Sequence, residues 1–277
     1  MNFIDAHSHV WTPDTERYRL APGVRRAIMD PPSFTTDELN QQGVAVGVNR
    51  VVLIQMSFYG YDNSYMLDAI TKYPDRYRGV AVIDTDQENI ASLMCDLKQK
   101  GVRGFRIYPK DRPVDRWMSY DGMRAMWTCG GEQNLAMCCL IDPDGLPELD
   151  RMCREFPDTP VVIDHMCRVG VQGPIHAEDV NALCDMAKHH RVTVKISGFY
   201  ALGHKKPPYH DLVSLIKRLY EAFGPDRLMW GSDSPFQVIN GHTYKASIDL
   251  VKSQLIFLNA TEVESLLRKT SERVFFH

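Results

Sequence analysis

Two histidines, His7 and His9, stand one residue apart where the first apolar segment of the chain, FIDAH, ends. In a β-strand, residues i and i+2 face the same side, so both imidazoles can point toward one spot. Neutral imidazoles are common ligands of divalent metals, and one or two further ligands would complete a site. The alternative is one solvent-facing histidine and one structural histidine. The pair alone leaves both interpretations open.

Two later apolar segments also end in residues that can bind a metal or move a proton. The segment PVVIDHM ends with Asp164 and His165, and RLMWGSDSPF places Asp233 where an apolar run breaks into a turn. A carboxylate beside a water molecule can take its proton and hand it to a leaving group. Asp233 could instead cap a turn, where aspartate is common. Its occurrence together with three histidines favours the chemical role.

Eight short segments are apolar and rich in β-branched or aromatic residues, which is typical of buried parallel strands. They are FIDAH, RVVLIQ, GVAVID, VRGFRIY, AMCCLID, PVVIDH, VTVKIS and RLMWGSD. Segments with helical spacing lie between them, namely DNSYMLDAITKYP, NIASLMCDLKQKG, LPELDRMCREFP, EDVNALCDMAKHH and HDLVSLIKRLYEAFG. This alternation predicts an α/β fold, a (β/α)8 TIM barrel forming a single domain over residues 1–277. An open doubly wound sheet is the alternative, but no glycine-rich phosphate loop follows the first segment.

The active sites of such barrels lie at the face where the strands end. The strand ends therefore bring the histidines and Asp233 to one face. Residues 12–36, a proline- and arginine-containing insert after the first strand, are expected to form a lid over that face, since long loops are often functional. The segment TEVESLLRKTSERVFF predicts a final amphipathic helix with Thr261 as its N-cap.

Composition limits the classes of function. Hydrophobic residues make up 44% of the 277 residues and charged residues 24%, with a net charge of −3. No basic excess points to nucleic acid, and no apolar run approaches the roughly 20 residues that span a bilayer. The start lacks the pattern of a signal peptide, so we expect a cytoplasmic protein that begins at Met1. The seven cysteines lack zinc-type spacing and are expected to be reduced core thiols.

The pieces DAHSHVW, VVIDHM and MWGSDSPF together resemble the amidohydrolase superfamily, specifically its amidohydrolase-related branch of lactonases and non-oxidative decarboxylases. The segments VVLIQMSFYGYDNSYMLDAI, GVRGFRIY and VTVKISGFY are similar to the lactonase group that includes 2-pyrone-4,6-dicarboxylate lactonase and fuconolactonase-like enzymes. The resemblance covers nearly the whole chain and is weakest over residues 12–36. It implies a barrel enzyme that acts on a small molecule.

The resemblance also implies roles for the four residues at the strand ends. His7, His9 and His165 would be ligands of a metal or of a carbonyl oxygen. Asp233 would be a metal ligand and the general base, with His165 also taking part in catalysis. At most one divalent ion, zinc or manganese, is expected, because the middle strands lack the lysine and further histidine of binuclear members. The related lactonases include members that work without a metal, so a site with no metal remains an alternative.

Five further residues are expected to contact the substrate. Arg106 resembles the position where lactonases hold a substrate carboxylate, which a guanidinium can bind through two hydrogen bonds, although a surface ion pair is the alternative. Gln55 and Ser57 end the second strand with alternate spacing, and Tyr59 fits the family segment. Lys195 either orients a carboxylate or closes a salt bridge inside the barrel.

The expected function is hydrolysis of a small lactone that carries a carboxylate or several hydroxyls, with water attacking the carbonyl. One alternative is a metal-dependent decarboxylase of the same branch. Such decarboxylases generally have a histidine on the strand after the His165-type position, and Ser197 and Lys195 stand there instead. A second alternative is a catalytically inactive barrel that acts as a binding protein. The remaining histidines are expected to have ordinary surface roles, and the oligomeric state is left open.

Overall fold

Eight parallel strands form one sheet that curves into a barrel. The computed structural model describes residues 2–109 and 113–277. Each strand pairs with the next one along the chain, from first to last. Ser8 also pairs with Ser234, just after the last strand, which brings the two edges of the sheet together. The strands are β1 (Phe3–Ser8), β2 (Val48–Ile54), β3 (Tyr77–Ala81), β4 (Val102–Ile107), β5 (Ala136–Cys139), β6 (Val161–Ile163), β7 (Val192–Ile196) and β8 (Leu228–Trp230).

Helices follow the strands and pack against the outside of the barrel. They are α1 (Thr36–Val44), α2 (Ser64–Lys72), α3 (Ile90–Gln99), α4 (Asp121–Gln133), α5 (Leu146–Glu155), α6 (Ala177–Asp185), α7 (Val213–Phe223), α8 (Tyr244–Asp249), α9 (Ala260–Glu264) and α10 (Thr270–Phe275). The predicted (β/α)8 barrel is confirmed, and all eight predicted strands are present. Five helices, α2, α3, α5, α6 and α7, coincide within a few residues with the predicted helical segments.

The barrel interior is packed with small and medium-sized apolar side chains. They are Ala6, Val52, Ile54, Val80, Ala136, Cys138, Val162 and Met229. The fully buried ring of Phe275, from α10, joins this cluster. Its neighbour Phe276 lies between Arg50 and Arg78, near the beginnings of β2 and β3, with the guanidinium carbons 4.8 and 5.2 Å from the ring centre. The C-terminal helix therefore fills the end of the barrel opposite the strand ends.

The tail helix begins two residues before its predicted N-cap. Asn259 accepts hydrogen bonds from the backbone N–H groups of Thr261 and Glu262, and the Glu262 carboxylate accepts one from the Asn259 backbone. This reciprocal capping box makes Asn259 the N-cap, so the assignment of Thr261 was wrong. A π-helical segment, Ser265–Lys269, joins α9 to α10.

The insert at residues 12–36 packs beside the strand-end face. Trp11 and Phe34 pair as a short antiparallel bridge at its base. Ala21 N–H donates to the carbonyl of Phe58, which follows β2, and the Tyr18 hydroxyl donates to Asp68 on α2. The insert is thus anchored to the β2–α2 side of the barrel. Its role as a lid stays a prediction.

Two expectations drawn from composition can be compared with the structure. All seven cysteines are free, and five of them are buried, as expected for reduced core thiols. Within residues 2–109 and 113–277, none of the helices combines the length and the apolar character needed to cross a bilayer.

We expect replacement of Phe275 by alanine to lower the free energy of unfolding by about 3–5 kcal/mol, because it leaves a cavity in the barrel interior. Denaturant-induced unfolding measures the change. Ile256→Ala is the matched control, since this side chain is 89% exposed and its loss should cost less than about 0.5 kcal/mol. Equal effects of the two substitutions would contradict the placement of Phe275 inside the barrel.

Candidate active site

Side chains from three strand ends converge on one point. His7, His165 and Asp233, which lie at the ends of β1, β6 and β8, are buried, and each offers a ligand atom within 4.8 Å of the other two. His9 approaches the same carboxylate, with Nε2 3.1 Å from Asp233 Oδ1. The structure therefore brings together all four residues predicted as metal ligands.

A buried carboxylate holds β1 against the turn after β8. Asp5 accepts hydrogen bonds from the backbone N–H and the hydroxyl of Ser232, from the Tyr244 hydroxyl and from the backbone N–H of His7. At the same junction, a Cβ atom on Gly231 would lie 2.8 Å from the Cβ of His7, so only glycine permits this approach. Burial raises the pKa of Asp5, which these four donors partly offset.

His165 begins an unusual backbone turn. Four consecutive residues, His165 to Arg168, have φ between 51° and 55°, in the left-handed region that costs about 1–2 kcal/mol for each L-residue. Gly198 lies against this turn, where an added Cβ would be 3.2 Å from His165 Nδ1. The Ser197 hydroxyl is 2.8 Å from the same nitrogen. Backbone strain of this kind is concentrated at functional sites, and here it aims the imidazole of His165 at Asp233.

A buried ion pair lies beneath His7. Lys195 and Asp164 are both fully buried, with Lys195 Nζ 3.0 Å from Asp164 Oδ1. Burial alone would raise the pKa of Asp164, but the Lys195 ammonium and His7 outweigh it and hold the pKa well below its ordinary value. Burial and the nearby ammonium lower the pKa of His7, so its imidazole is neutral at pH 7. Burial also lowers the pKa of His165.

Arg106 reaches the same cluster from the end of β4. Its Nη1 lies 3.1 Å from His7 Nε2 and its Nε lies 3.8 Å from Asp164 Oδ2. A guanidinium has no lone pair to offer, so His7 Nε2 is the acceptor in this contact. The Nδ1–H of His7 then faces Asp164 Oδ1 at 3.4 Å. Arg106 is thus a buried cation of the site and not a surface ion pair.

A cavity of about 510 Å³ opens above these residues. Six of the predicted site residues line it, namely His9, Gln55, Ser57, Arg106, His165 and Asp233. The Gln55 amide nitrogen is held by the carbonyl of Asp62 at 2.6 Å. The position and size of the cavity suit a small-molecule ligand.

Tyr59 and Lys195 do not line this cavity, and their predicted role as substrate contacts is corrected. The Tyr59 hydroxyl accepts a hydrogen bond from the backbone N–H of Thr12, so it anchors the insert. Lys195 lies inside the barrel below the cavity, where it forms the salt bridge that was its alternative role. The spacing along a strand could not show how deep in the barrel each side chain lies.

Tyr200 is a site residue that the sequence did not single out. It follows β7, lines the cavity and donates a hydrogen bond of 2.6 Å to Asp233 Oδ2. Its position shortly after a strand end, in VTVKISGFY, was the available signal. Asp5 and Asp164 were also unassigned, because their partners are distant in the sequence.

The donor set fits one divalent metal ion. His9 Nδ1 must donate to the Ile54 carbonyl at 2.9 Å, which turns the other ring nitrogen toward Asp233 Oδ1. Two acceptors 3.1 Å apart require a cation or a shared proton between them. Imidazoles together with one carboxylate are ligands typical of zinc or manganese sites. His7, His9, His165 and Asp233 are therefore suited to hold such an ion.

The fold and the site define a barrel enzyme of the amidohydrolase type. A family model described as Amidohydrolase matches residues 4–276, and the chain belongs to this family. It is 29% identical over 244 residues to the L-fucono-1,5-lactonase of Burkholderia ambifaria, with 86% of this chain and 82% of that protein covered. It is 27% identical over 231 residues to the 4-sulfomuconolactone hydrolase of Rhizobium radiobacter, with 83% and 75% covered.

A solved structure shows the same similarity in three dimensions. The crystal structure of a probable 2-pyrone-4,6-dicarboxylic acid hydrolase from Acinetobacter baumannii, with citric acid bound, matches this chain with a TM-score of 0.83 and 26% identity over the full length of both chains. The superfamily resemblance expected from the motifs is confirmed. The chain is an amidohydrolase-related, lactonase-like enzyme.

We expect Lys195→Met to lower the free energy of unfolding by about 3–5 kcal/mol, because it leaves the Asp164 charge buried without its partner. Adding Asp164→Asn to this variant should restore part of the loss, since the unpaired charge is then removed. Denaturant-induced unfolding of the two variants measures both changes.

Lys72→Met is the control for this series. Lys72 lies 3.6 Å from Asp37, but its side chain is 56% exposed, so its loss should cost no more than about 1 kcal/mol. Similar losses for Lys195→Met and Lys72→Met would contradict a buried ion pair beneath the site.

Proposed function

We propose that this protein hydrolyses a small lactone by direct attack of water on the ring carbonyl. The observation that carries the proposal is the convergence of Asp233 with three histidines at the floor of a cavity that also contains Arg106. The names of the related proteins, a fuconolactonase and a sulfomuconolactone hydrolase, support the same class of substrate.

Asp233 is the proposed general base. Burial would raise its pKa, but the neighbouring imidazoles of His165 and His9 outweigh this and hold the pKa well below its ordinary value, so the carboxylate is ionised at pH 7. It takes a proton from water as the water oxygen bonds to the lactone carbonyl carbon. The ring C–O bond then breaks, and Asp233 returns the proton to the departing oxygen. The product is an open-chain hydroxy acid.

The imidazoles and Tyr200 prepare the site for this reaction. The histidine cluster lies where negative charge develops on the carbonyl oxygen, and His165 is the member that lines the cavity on the Asp233 side. Tyr200 donates to Oδ2 of Asp233 at 2.6 Å, which fixes the rotation of the carboxylate. The other oxygen, Oδ1, faces His7 and His9 at 3.5 and 3.1 Å.

A divalent ion, zinc or manganese, would be held by His7, His9, His165 and Asp233. When bound, such an ion polarises a carbonyl and lowers the pKa of water. Arg106 is proposed to hold a carboxylate of the substrate, because its guanidinium lines the cavity. The citric acid bound to the 26% identical hydrolase supports recognition of carboxylates by this kind of cavity.

Decarboxylation is less well supported by the residues around His165. The Ser197 hydroxyl, at the end of β7, contacts His165 Nδ1 at 2.8 Å, where the decarboxylases of this branch are expected to have a histidine. An inactive barrel is also disfavoured, since a scaffold has no reason to keep four side chains converged. Hydrolysis of a lactone is therefore the function that we propose.

We expect Asp233→Asn to lower the kcat for lactone hydrolysis by roughly 10²–10⁴-fold, since an amide cannot accept the proton of water. Circular dichroism and thermal unfolding should show a retained fold. Asp96→Asn, at an exposed position on α3, is the control and should leave kcat unchanged. Full activity of Asp233→Asn would rule out this residue as the base.

We expect the purified protein to bind about one equivalent of zinc or manganese by elemental analysis, as the number of imidazole and carboxylate ligands indicates. The double variant His7→Ala/His9→Ala should lose the metal. His204→Ala, whose side chain is 83% exposed, should retain it. Absence of bound metal even after incubation with either ion would contradict a metal site and favour the metal-free mechanism.

A further inference from the structure

A second cavity adjoins the proposed catalytic cavity. It has a volume of about 390 Å³ and shares three lining residues, Met56, Tyr200 and Phe236, with the first. The rings of Tyr200 and Phe236 are 5.9 Å apart and nearly parallel, with an interplanar angle of 33°. A ligand held at Asp233 can therefore extend past an aromatic pair into further space.

The walls of the second cavity are largely apolar. Phe58 and Ile239 lie on its sides, and Ile28, from the 12–36 insert, lies at its rim. The Ile28 side chain is 55% exposed, which is unusual for a large aliphatic residue. An exposed apolar side chain at the rim of a cavity continuous with a catalytic site is well placed to contact an apolar part of a substrate.

One histidine of this cavity has a defined hydrogen-bonding role. The Gln237 amide nitrogen donates to the Tyr209 hydroxyl at 2.8 Å and to the Thr243 carbonyl at 3.3 Å, which fixes the orientation of the amide. The Tyr209 hydroxyl must then donate its own proton to His242 Nδ1, 2.8 Å away. Neutral His242 therefore carries its proton on Nε2, as a hydrogen-bond donor.

An acceptor lines the same cavity. The carboxylate of Asp30, on the insert, is among its lining residues together with His242. A hydroxyl group can donate to a carboxylate and accept from an imidazole N–H at once, whereas a carboxylate on the ligand would be repelled by Asp30. The cavity thus combines aromatic and aliphatic walls with partners suited to one uncharged hydroxyl.

We propose that the second cavity binds a hydroxyphenyl-type substituent of the substrate, with the ring beside Phe58 and Phe236 and its hydroxyl between Asp30 and His242. The substrate class is then a lactone with an aryl substituent, and this inference rests on the proposed lactone hydrolysis. Binding energy from such a remote group is available to position the lactone at Asp233.

The test compares three lactones that share one ring and carry a methyl, a phenyl or a 4-hydroxyphenyl substituent. We expect kcat/KM to rise about tenfold or more from methyl to phenyl, through burial of the ring. A further rise of about 3- to 10-fold is expected for the hydroxyl. Equal kcat/KM for the three lactones, with measurable hydrolysis, would overturn the inference and leave the proposed function intact.

Two variants locate the effect. Ile28→Asp should reduce kcat/KM for both aryl lactones and leave the methyl lactone unchanged, whereas Val44→Asp, at a position that is also 55% exposed, should change none of them. His242→Phe should remove the advantage of the 4-hydroxyphenyl lactone over the phenyl lactone. Loss of aryl preference in Val44→Asp, or its retention in Ile28→Asp, would contradict the assignment of this cavity.

A binding measurement separates this inference from the proposed function. Titration with p-cresol, followed by calorimetry, should show binding to the unmodified protein and to Val44→Asp but not to Ile28→Asp. This result would support the second cavity even if none of the lactones were hydrolysed, an outcome that would instead overturn the proposed function. Absence of p-cresol binding together with absence of aryl preference would overturn the inference.

Discussion

The carboxylate of Asp5 is the constraint on which the site depends. It joins β1 to the turn after β8 through the Ser232 backbone and hydroxyl, and it also accepts from Tyr244 and from the His7 backbone. The backbone N–H of Asp233 donates to the His7 carbonyl at 2.7 Å across the same junction. Because the barrel closes here, the bonds that complete the fold also set the distance between the proposed base and the first histidine. Stability and chemistry share one set of hydrogen bonds.

The architecture could be predicted because each buried parallel strand is a nearly continuous apolar run, which is visible without knowledge of its partners. The ends of elements were harder. Asn259 and Thr261 are both good capping residues, and only the reciprocal bond with Glu262 shows which of them caps the tail helix. The packing of Phe275 inside the barrel could not be foreseen, since an amphipathic pattern identifies a buried face but not the surface that it covers.

Site residues could be predicted where a polar side chain directly ends an apolar segment, as for His7, His165 and Asp233. Residues that act through a partner could not, because the Lys195–Asp164 pair depends on the register between β6 and β7. The same limit explains the error on Lys195, whose position in a strand does not show whether its ammonium reaches the cavity or stays beneath it. A barrel interior has depth, and the sequence pattern of a strand reports only its two faces.

The buried charges around the site balance one another, with Arg106 and Lys195 opposite Asp164 and Asp233. A divalent ion would add positive charge to a region where water screens charges poorly. An anion that enters the cavity would offset that charge, so the ion and the anion would each strengthen the binding of the other by the same factor. Metal occupancy in a given preparation therefore depends on the buffer, and carboxylate or phosphate salts would increase the amount of metal that the protein retains.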